Sequence, residues 1–137
     1  MRFWLWPTKK RGNMAKILVI DDEEEVVNLY KDFLSKKGFN VLTATDGADG
    51  LSIAQKEIPD LILLDVMMPN MDGGEIAQNL LKRPSTRRIP VIFLTGIITQ
   101  EEEAEAEKGI GKRFFLSKTS NIAEILQKIA DVLGMRT

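Results

Sequence analysis

The sequence predicts an α/β domain of the doubly wound (βα)₅ type, in which helices cover both faces of one five-stranded parallel sheet. Three observations lead to this prediction. The 137 residues, 44% of them hydrophobic, are enough for one core of ordinary size. From Lys16 onward, short apolar runs alternate with longer amphipathic stretches. Several runs are apolar throughout, which is typical of strands buried on both faces of a parallel sheet.

Five short apolar runs predict the strands. In chain order they are Ile17–Ile20, Val41–Ala44, Leu61–Leu64, Val91–Leu94 and Phe114–Leu116. Right-handed crossovers between parallel strands leave few strand orders for five such units. We therefore predict the order 2-1-3-4-5 of a flavodoxin-like sheet.

Five stretches that follow the strands have helical periodicity. Gly38 is expected to end the first helix, and the second is expected to end before Pro59. Gln100–Lys108 predicts a weakly amphipathic fourth helix. The apolar positions that mark the other four are, in order, Val26, Tyr30, Phe33 and Leu34; Ala48, Leu51, Ala54 and Ile58; Ile76, Ala77, Leu80 and Leu81; and Ile122, Ile125, Leu126, Ile129 and Leu133.

Residues 1–13 differ in character from the rest, since they hold both tryptophans and four basic residues. We expect a flexible N-terminal extension, or translation from upstream of a start at Met14, followed by one domain over 14–137. The alternative is a short anchor for a partner or a membrane surface. The apolar stretch is too short for a signal peptide, and no run approaches the ~20 residues of a membrane helix. We therefore expect a cytoplasmic protein.

The composition excludes several classes of chemistry. The chain has no cysteine and no histidine, which excludes disulfides, thiolate and imidazole metal sites, and Ser-His-Asp triads. A net charge of −1 argues against nucleic acid or an anionic membrane as the main partner. Chemistry must therefore use carboxylates, hydroxyls, lysines and metals that prefer oxygen ligands.

Polar side chains follow four of the predicted strands. Asp21 and Asp22 follow the first, Asp65 the third and Thr95 the fourth, and Lys118 lies just past the fifth. Each alone is typical of a helix cap or a turn, but ligands of open α/β sheets bind beyond the carboxyl ends of the strands. Clustered carboxylates repel one another unless a cation is present. Because all the ligands are oxygens, the sequence predicts a site for Mg²⁺ in preference to zinc.

These residues resemble motifs of the receiver domains of bacterial two-component response regulators. The similarity extends from Lys16 to about Leu133. It rests, in order and spacing, on Asp21-Asp22, Asp65–Gly73, Thr95-Gly96 and Phe115–Lys118. The resemblance implies that Asp65 accepts a phosphoryl group from a histidine kinase or a phosphotransfer protein. It also implies that Asp22, Asp65 and the Met67 carbonyl bind Mg²⁺ directly, with Asp21 acting mainly through water.

The resemblance further implies catalytic roles for Lys118 and Thr95 and a switch made by Thr95 and Phe115. The phosphoryl group would draw Thr95 inward, and Phe115 would turn into the space that is left. This would remodel the surface formed by the predicted helix 100–108, the fifth strand and the last helix. Because no second domain is expected after Leu133, output would pass through an unknown protein target, with the chain a monomer or a phosphorylation-dependent dimer. It would catalyse only its own phosphorylation and dephosphorylation.

One departure from the family pattern, and two apolar residues near the predicted phosphoryl site, lead to further predictions. Thr119 stands where receivers usually have proline, and a cis bond before a non-proline residue costs roughly 3 to 4 kcal/mol. We therefore predict a trans Lys118-Thr119 bond, a shifted lysine and slower phosphorylation. Met67 and Ile97, both apolar, are expected to hinder the attacking water and so to prolong the phosphorylated state.

Other functions remain as alternatives. A receiver-like interaction module that works without phosphorylation is favoured only by Thr119. An aspartate-nucleophile phosphatase of the haloacid-dehalogenase type would need a second Asp where Met67 stands. A nucleotide-binding domain would need a glycine-rich phosphate motif, and the sequence has none.

Overall fold

A computed structural model of the chain describes residues 14–66, 73–96 and 113–134. It contains one five-stranded parallel sheet with the order β2-β1-β3-β4-β5. The strands are β1 (Lys16–Ile20), β2 (Asn40–Ala44), β3 (Leu61–Asp65), β4 (Val91–Thr95) and β5 (Arg113–Ser117). The predicted strands and their order are therefore confirmed, with each strand one residue longer at one end or both.

Four helices lie in the described residues. They are α1 (Glu24–Lys36), α2 (Gly47–Glu57), α3 (Gly73–Leu81) and α4 (Ile122–Gly134), the last of which is the predicted fifth helix. None of the four has the length and apolar character needed to cross a membrane. The predicted extension 1–13 and the predicted helix Gln100–Lys108 lie outside the described residues.

The sheet is covered on both faces because successive side chains of a strand point to opposite sides. On one face, Ile17 and Val19 of β1 pack in a cluster with α1 and α4. On the other face, Leu18 and Ile20 pack with α2 and α3. All four strand residues are at most 1% exposed. Burying each such side chain stabilises the fold by about 1.5–3 kcal/mol, so both helix layers are held mainly by apolar packing.

The buried face of α2 agrees with the prediction only in part. Ala48 is exposed, and Ile58, which ends the helix in the left-handed conformation with φ of 45°, is 43% exposed. Ala54 is buried and Leu51 packs against the core, as predicted, and Gly47 and Gly50 are buried as well. A Cβ atom at Gly50 would lie 2.5 Å from Cδ1 of the buried Ile20. Glycine therefore allows α2 to approach β1 closely, and apolar periodicity does not register such a position.

A buried carboxylate joins β1 to β3 at the amino-terminal edge of the sheet. Asp60, 6% exposed, accepts a hydrogen bond from the Lys16 backbone N–H at 2.7 Å and donates its own N–H to the Lys16 carbonyl at 2.8 Å. The Lys16 ammonium lies 3.3 Å from Glu57 of α2. We refer to this arrangement of Lys16, Glu57 and Asp60 as the Lys16–Asp60 clamp. No pattern in the sequence indicated this clamp.

We expect Asp60→Ala to lower the free energy of unfolding by about 1–3 kcal/mol, because it leaves a partly buried backbone N–H without its acceptor. Urea denaturation monitored by circular dichroism measures the change. Asp32→Ala is the control. Asp32 is exposed and lies 4.0 Å from Lys36, so its loss should lower the free energy of unfolding by about 0.5 kcal/mol or less. Equal losses in the two variants would contradict a role for the clamp.

Candidate functional site

The carboxyl ends of β1 and β3 bring three acidic side chains together. Asp21 follows β1 directly and Asp65 ends β3, and these strands are hydrogen-bonded neighbours. One carboxylate oxygen from each of Asp21, Asp22 and Asp65 lies within 4.8 Å of the others. Asp21 and Asp65 are 0% and 1% exposed, while Asp22 is exposed. The acidic cluster thus has two buried members and one member open to solvent.

Asp21 is held by backbone contacts on both sides. Its N–H donates to the Ala44 carbonyl at 3.1 Å, and its Oδ1 accepts from the Glu23 N–H at 3.0 Å. Burial raises the pKa of the Asp21 carboxyl above its usual value, and the charge of Asp65 adds to this; the Glu23 N–H and the Lys118 ammonium act in the opposite direction. A cation that binds near Asp21 would therefore favour its charged form.

Lys118 provides a positive charge inside the cluster. Its Nζ lies 3.2 Å from Oδ2 of Asp65 and 3.4 Å from Oδ2 of Asp21. Partial burial lowers the lysine pKa, but the two carboxylates outweigh this, so that the pKa is raised overall. Lys118 therefore stays protonated at neutral pH. One ammonium opposes three carboxylates, which leaves the cluster acidic when all three are ionised.

The fourth and fifth strands place Thr95, Lys118 and Phe115. Thr95 ends β4 and is 7% exposed, and its backbone carbonyl accepts a hydrogen bond from the Lys118 backbone N–H at 2.8 Å. Phe115 in β5 is partly buried and stacks on Phe93, with ring centroids 5.1 Å apart and planes 20° apart. The switch role of Thr95 and Phe115 stays a prediction. Met67 and Ile97 lie outside the described residues.

A hydroxyl pair beside Lys118 was missed by the sequence analysis. Ser117 Oγ lies 2.7 Å from Thr119 Oγ1 and accepts the Thr119 backbone N–H at 3.1 Å, and Ser120 N–H donates to the Ser117 carbonyl at 3.0 Å. Hydroxyl residues often form such local turns, so the Ser-x-Thr pattern was a signal that could have found it. Proline at 119 could not donate the N–H bond. The trans Lys118-Thr119 bond stays a prediction.

The residues present fit a hard divalent cation. The side chains of the acidic cluster offer only oxygen ligands, which Mg²⁺ prefers. The buried Oδ2 of Asp21 forms no well-aligned hydrogen bond with the described residues, and Lys118 contacts it electrostatically at 3.4 Å. A charged carboxylate oxygen that is buried without a well-aligned hydrogen bond is stabilised by a further cation. The exposed Asp22 leaves a side of the cluster open for entry.

Comparisons with known proteins agree with this geometry. The family model described as the response regulator receiver domain matches residues 17–130. Protein PilH of Pseudomonas aeruginosa is 35% identical over 123 residues, which cover 88% of this chain and 99% of PilH. Response regulator PleD of Caulobacter vibrioides is 46% identical over 83 residues, 61% of this chain. The chain spans only 18% of PleD.

A solved structure shows the same architecture. The chemotaxis protein CheY4 of Vibrio cholerae superimposes with a TM-score of 0.79 at 32% identity. The superposition covers 87% of this chain and 98% of CheY4. The similarity therefore extends over nearly the whole of a receiver-sized protein and includes the strands that carry the acidic cluster.

Proposed function

Because this chain belongs to the response regulator receiver domains of two-component signalling, we propose that it is a phosphoacceptor switch in which Asp65 receives the phosphoryl group. The observation that carries the proposal is the position of the Lys118 ammonium, 3.2 Å from Asp65 within a cluster of three carboxylates. In this proposal residues 14–137 form the receiver domain, preceded by the extension 1–13, and the protein acts in the cytoplasm.

The chemistry follows from the positions of these side chains. A carboxylate oxygen of Asp65 forms the new bond to phosphorus, while the bond to the donor's imidazole nitrogen breaks and that nitrogen keeps the electron pair. Lys118 pairs with one phosphoryl oxygen as a point charge, and the Thr95 hydroxyl donates a hydrogen bond to another. Because the chain has no histidine, the phosphohistidine belongs to a partner, a histidine kinase or a phosphotransfer protein.

Mg²⁺ is the proposed cofactor, held by Asp22, Asp65 and the Met67 carbonyl, with Asp21 acting through water. When bound, the ion supplies neutralisation of the phosphoryl oxygens. Lys118, 3.2 Å from Asp65, holds that side chain in place and balances part of its charge. The chain catalyses only its own phosphorylation and dephosphorylation.

In this proposal, phosphorylation of Asp65 changes the surface that binds a partner. Thr95 moves toward the new dianion, and Phe115 turns from its contact with Phe93 into the space that Thr95 leaves. A shift from 1:99 to 99:1 between two states needs about 5.5 kcal/mol, which a few charge-assisted hydrogen bonds can supply. The surface of β5, α4 and residues 100–108 then binds a downstream protein or a second copy.

The test is phosphorylation by acetyl phosphate with Mg²⁺, followed by intact-protein mass measurement. We expect a gain of one phosphoryl group that EDTA prevents. Borohydride reduction converts an acyl phosphate of aspartate to homoserine, so peptide sequencing should find homoserine at position 65. No mass gain, or homoserine at another position, would be evidence against Asp65 as the acceptor.

A second candidate is a receiver that binds its partner without being phosphorylated. The observation that favours it is Thr119, which stands in place of the usual proline and forms a hydrogen-bonded turn with Ser117 next to the lysine. Beryllofluoride with Mg²⁺ separates the two functions, since a switch changes its NMR spectrum around Thr95 and Phe115. An unchanged spectrum with intact partner binding would favour the second candidate.

We expect Thr119→Val to slow phosphorylation by acetyl phosphate about two- to tenfold. Valine keeps the shape but removes the hydroxyl bond to Ser117, which is worth about 0.5–1.5 kcal/mol in placing Lys118. Phosphorylation kinetics by mass measurement give the rate. Thr119→Ser retains the hydroxyl and should react at nearly the wild-type rate. If valine and serine behave alike, the hydroxyl pair does not position the lysine.

A further inference from the structure

A second charged feature lies at the opposite edge of the sheet from the acidic cluster. The turn at residues 82–88, which we call the basic turn, contains no acidic residue and four cations: Lys82, Arg83, Arg87 and Arg88. All four are exposed. Within residues 14–66, 73–96 and 113–134, none of them forms an ion pair with a carboxylate. The basic turn therefore presents positive charge that the described part of the chain does not neutralise.

The basic turn is held in one shape by its own hydrogen bonds. Thr86, 1% exposed, donates its hydroxyl to the Leu80 carbonyl at 2.6 Å, and Arg87 N–H donates to the Arg83 carbonyl at 2.9 Å. Ile89, 6% exposed, anchors the end of the turn and donates its N–H to the Thr86 carbonyl at 3.1 Å. Because the backbone of the turn is already ordered, less conformational entropy is lost when a partner binds.

A groove of about 600 Å³ adjoins the basic turn. Its walls combine apolar, amide and cationic side chains from α2, α3 and the turn: Leu51, Gln55, Asn79, Lys82, Arg83 and Pro84. Amide side chains offer both donors and acceptors to a peptide backbone, and Arg83 offers a planar fork that matches a carboxylate. The groove can thus hold an extended peptide beside an arginine.

We propose that the basic turn and its groove bind an acidic segment of a partner protein. Charge complementarity favours carboxylates, since four cations lie within seven residues and form no ion pair with the described part of the chain. A membrane surface cannot enter a groove between two helices. Nucleic acid is disfavoured because the chain as a whole has a net charge of −1, so that the backbone of a long polyanion would meet repulsion outside the turn.

The position of the basic turn makes this contact independent of the proposed phosphorylation. The turn precedes β4, whereas Thr95 and the neighbouring Asp65 lie at the carboxyl ends of β4 and β3. A five-residue strand separates the two edges by about 17 Å. A partner can therefore hold the basic turn while a phosphodonor approaches Asp65.

The test is an NMR titration of the ¹⁵N-labelled full chain with a short peptide of alternating glutamate and alanine. We expect shifts confined to residues 82–88 and to the side-chain amides of Gln55 and Asn79. Arg83→Glu with Arg87→Glu should weaken binding roughly tenfold, because it reverses two of the four charges. Lys31→Glu with Lys37→Glu, the same charge change at exposed positions of α1 and its C-terminal end, should weaken it less than about twofold.

Three outcomes would overturn the proposal: shifts elsewhere than the basic turn and groove, equal weakening by the two charge reversals, or tighter binding of oligothymidylate or phosphatidylserine vesicles at the turn. If the glutamate variant loses spectral dispersion, Lys82→Gln with Arg83→Gln replaces it. Asp65→Asn should bind the peptide as the wild type does. Because that variant lacks the proposed acceptor, failure of the docking proposal and failure of the phosphoacceptor proposal are observed separately.

Discussion

Asp65→Asn should lower phosphoryl uptake from acetyl phosphate by a factor on the order of 10³ or more, the size of loss seen when a catalytic nucleophile is removed. Asparagine has nearly the same shape, but its amide lacks the negative charge that attacks phosphorus. The neighbouring carboxylates cannot replace it equally. Asp21 is fully buried with one oxygen bound to the Glu23 N–H, and Asp22 is exposed and further from the Lys118 contacts that the structure contains.

The rate is measured by intact-protein mass over time at fixed acetyl phosphate and Mg²⁺. Asp32→Asn makes the same chemical change on an exposed position of α1 and should leave the rate unaltered. Circular dichroism and the unfolding midpoint show whether Asp65→Asn retains the fold. Phosphorylation of a folded Asp65→Asn variant at more than about a tenth of the wild-type rate would mean that another group is the acceptor.

Lys118→Met should destabilise the metal-free protein by about 3 kcal/mol near neutral pH, since removing one partner of a buried ionic group leaves uncompensated charge. The ammonium contacts both Asp21 and Asp65, whose side chains are 0% and 1% exposed. Methionine preserves the length and apolar volume of the side chain. Urea unfolding in EDTA gives the change, and Lys36→Met, on an exposed 4.0 Å pair, should cost about 0.5 kcal/mol or less.

The destabilisation should depend on pH with a defined sign. Burial raises the pKa of Asp21, so folding favours its protonated form. The resulting contribution to folding stability is fully present below the unfolded-state pKa, about 3.8. It is lost as pH rises through the higher folded-state pKa. The effect of Lys118→Met should therefore be smaller near pH 4 than near pH 7. When Asp21→Asn is added to the Lys118→Met variant, most of the lost stability should be recovered near pH 7. A loss that is constant with pH would indicate altered packing instead.

Much of the fold and the positions of the acidic residues could be predicted, because both depend on local patterns. Continuous apolar runs such as Leu61–Leu64 identify buried strands, and parallel strands place their carboxyl ends at one edge. Asp21 and Asp65 could thus be expected near each other without coordinates. The spacing of motifs around Lys118 indicated the same edge. Each of these patterns lies within one short segment of the sequence and can be recognised without knowing which side chains are in contact.

The features that the sequence did not predict depend on contacts between residues that are distant in the chain, or between residues that form no recognisable pattern. The prediction for α2 was wrong at Ala48 and Ile58, which are exposed, and it omitted the buried Gly50, since a glycine carries no apolar signal. Asp60 has the same residue type as the site carboxylates but precedes a strand instead of following one, and its partner Lys16 is 44 residues away. The Ser117–Thr119 hydroxyl pair requires a turn geometry that the sequence permits but does not require.

The Lys16–Asp60 clamp and the acidic cluster occupy opposite ends of the same two strands. Lys16 begins β1 and Asp60 precedes β3, whereas Asp21 follows β1 and Asp65 ends β3. The clamp therefore stabilises the fold from the edge that does not carry the proposed chemistry, and fully buried aliphatic residues lie between the two edges. A substitution in the clamp is therefore expected to change the free energy of unfolding while it leaves every side chain of the acidic cluster in place.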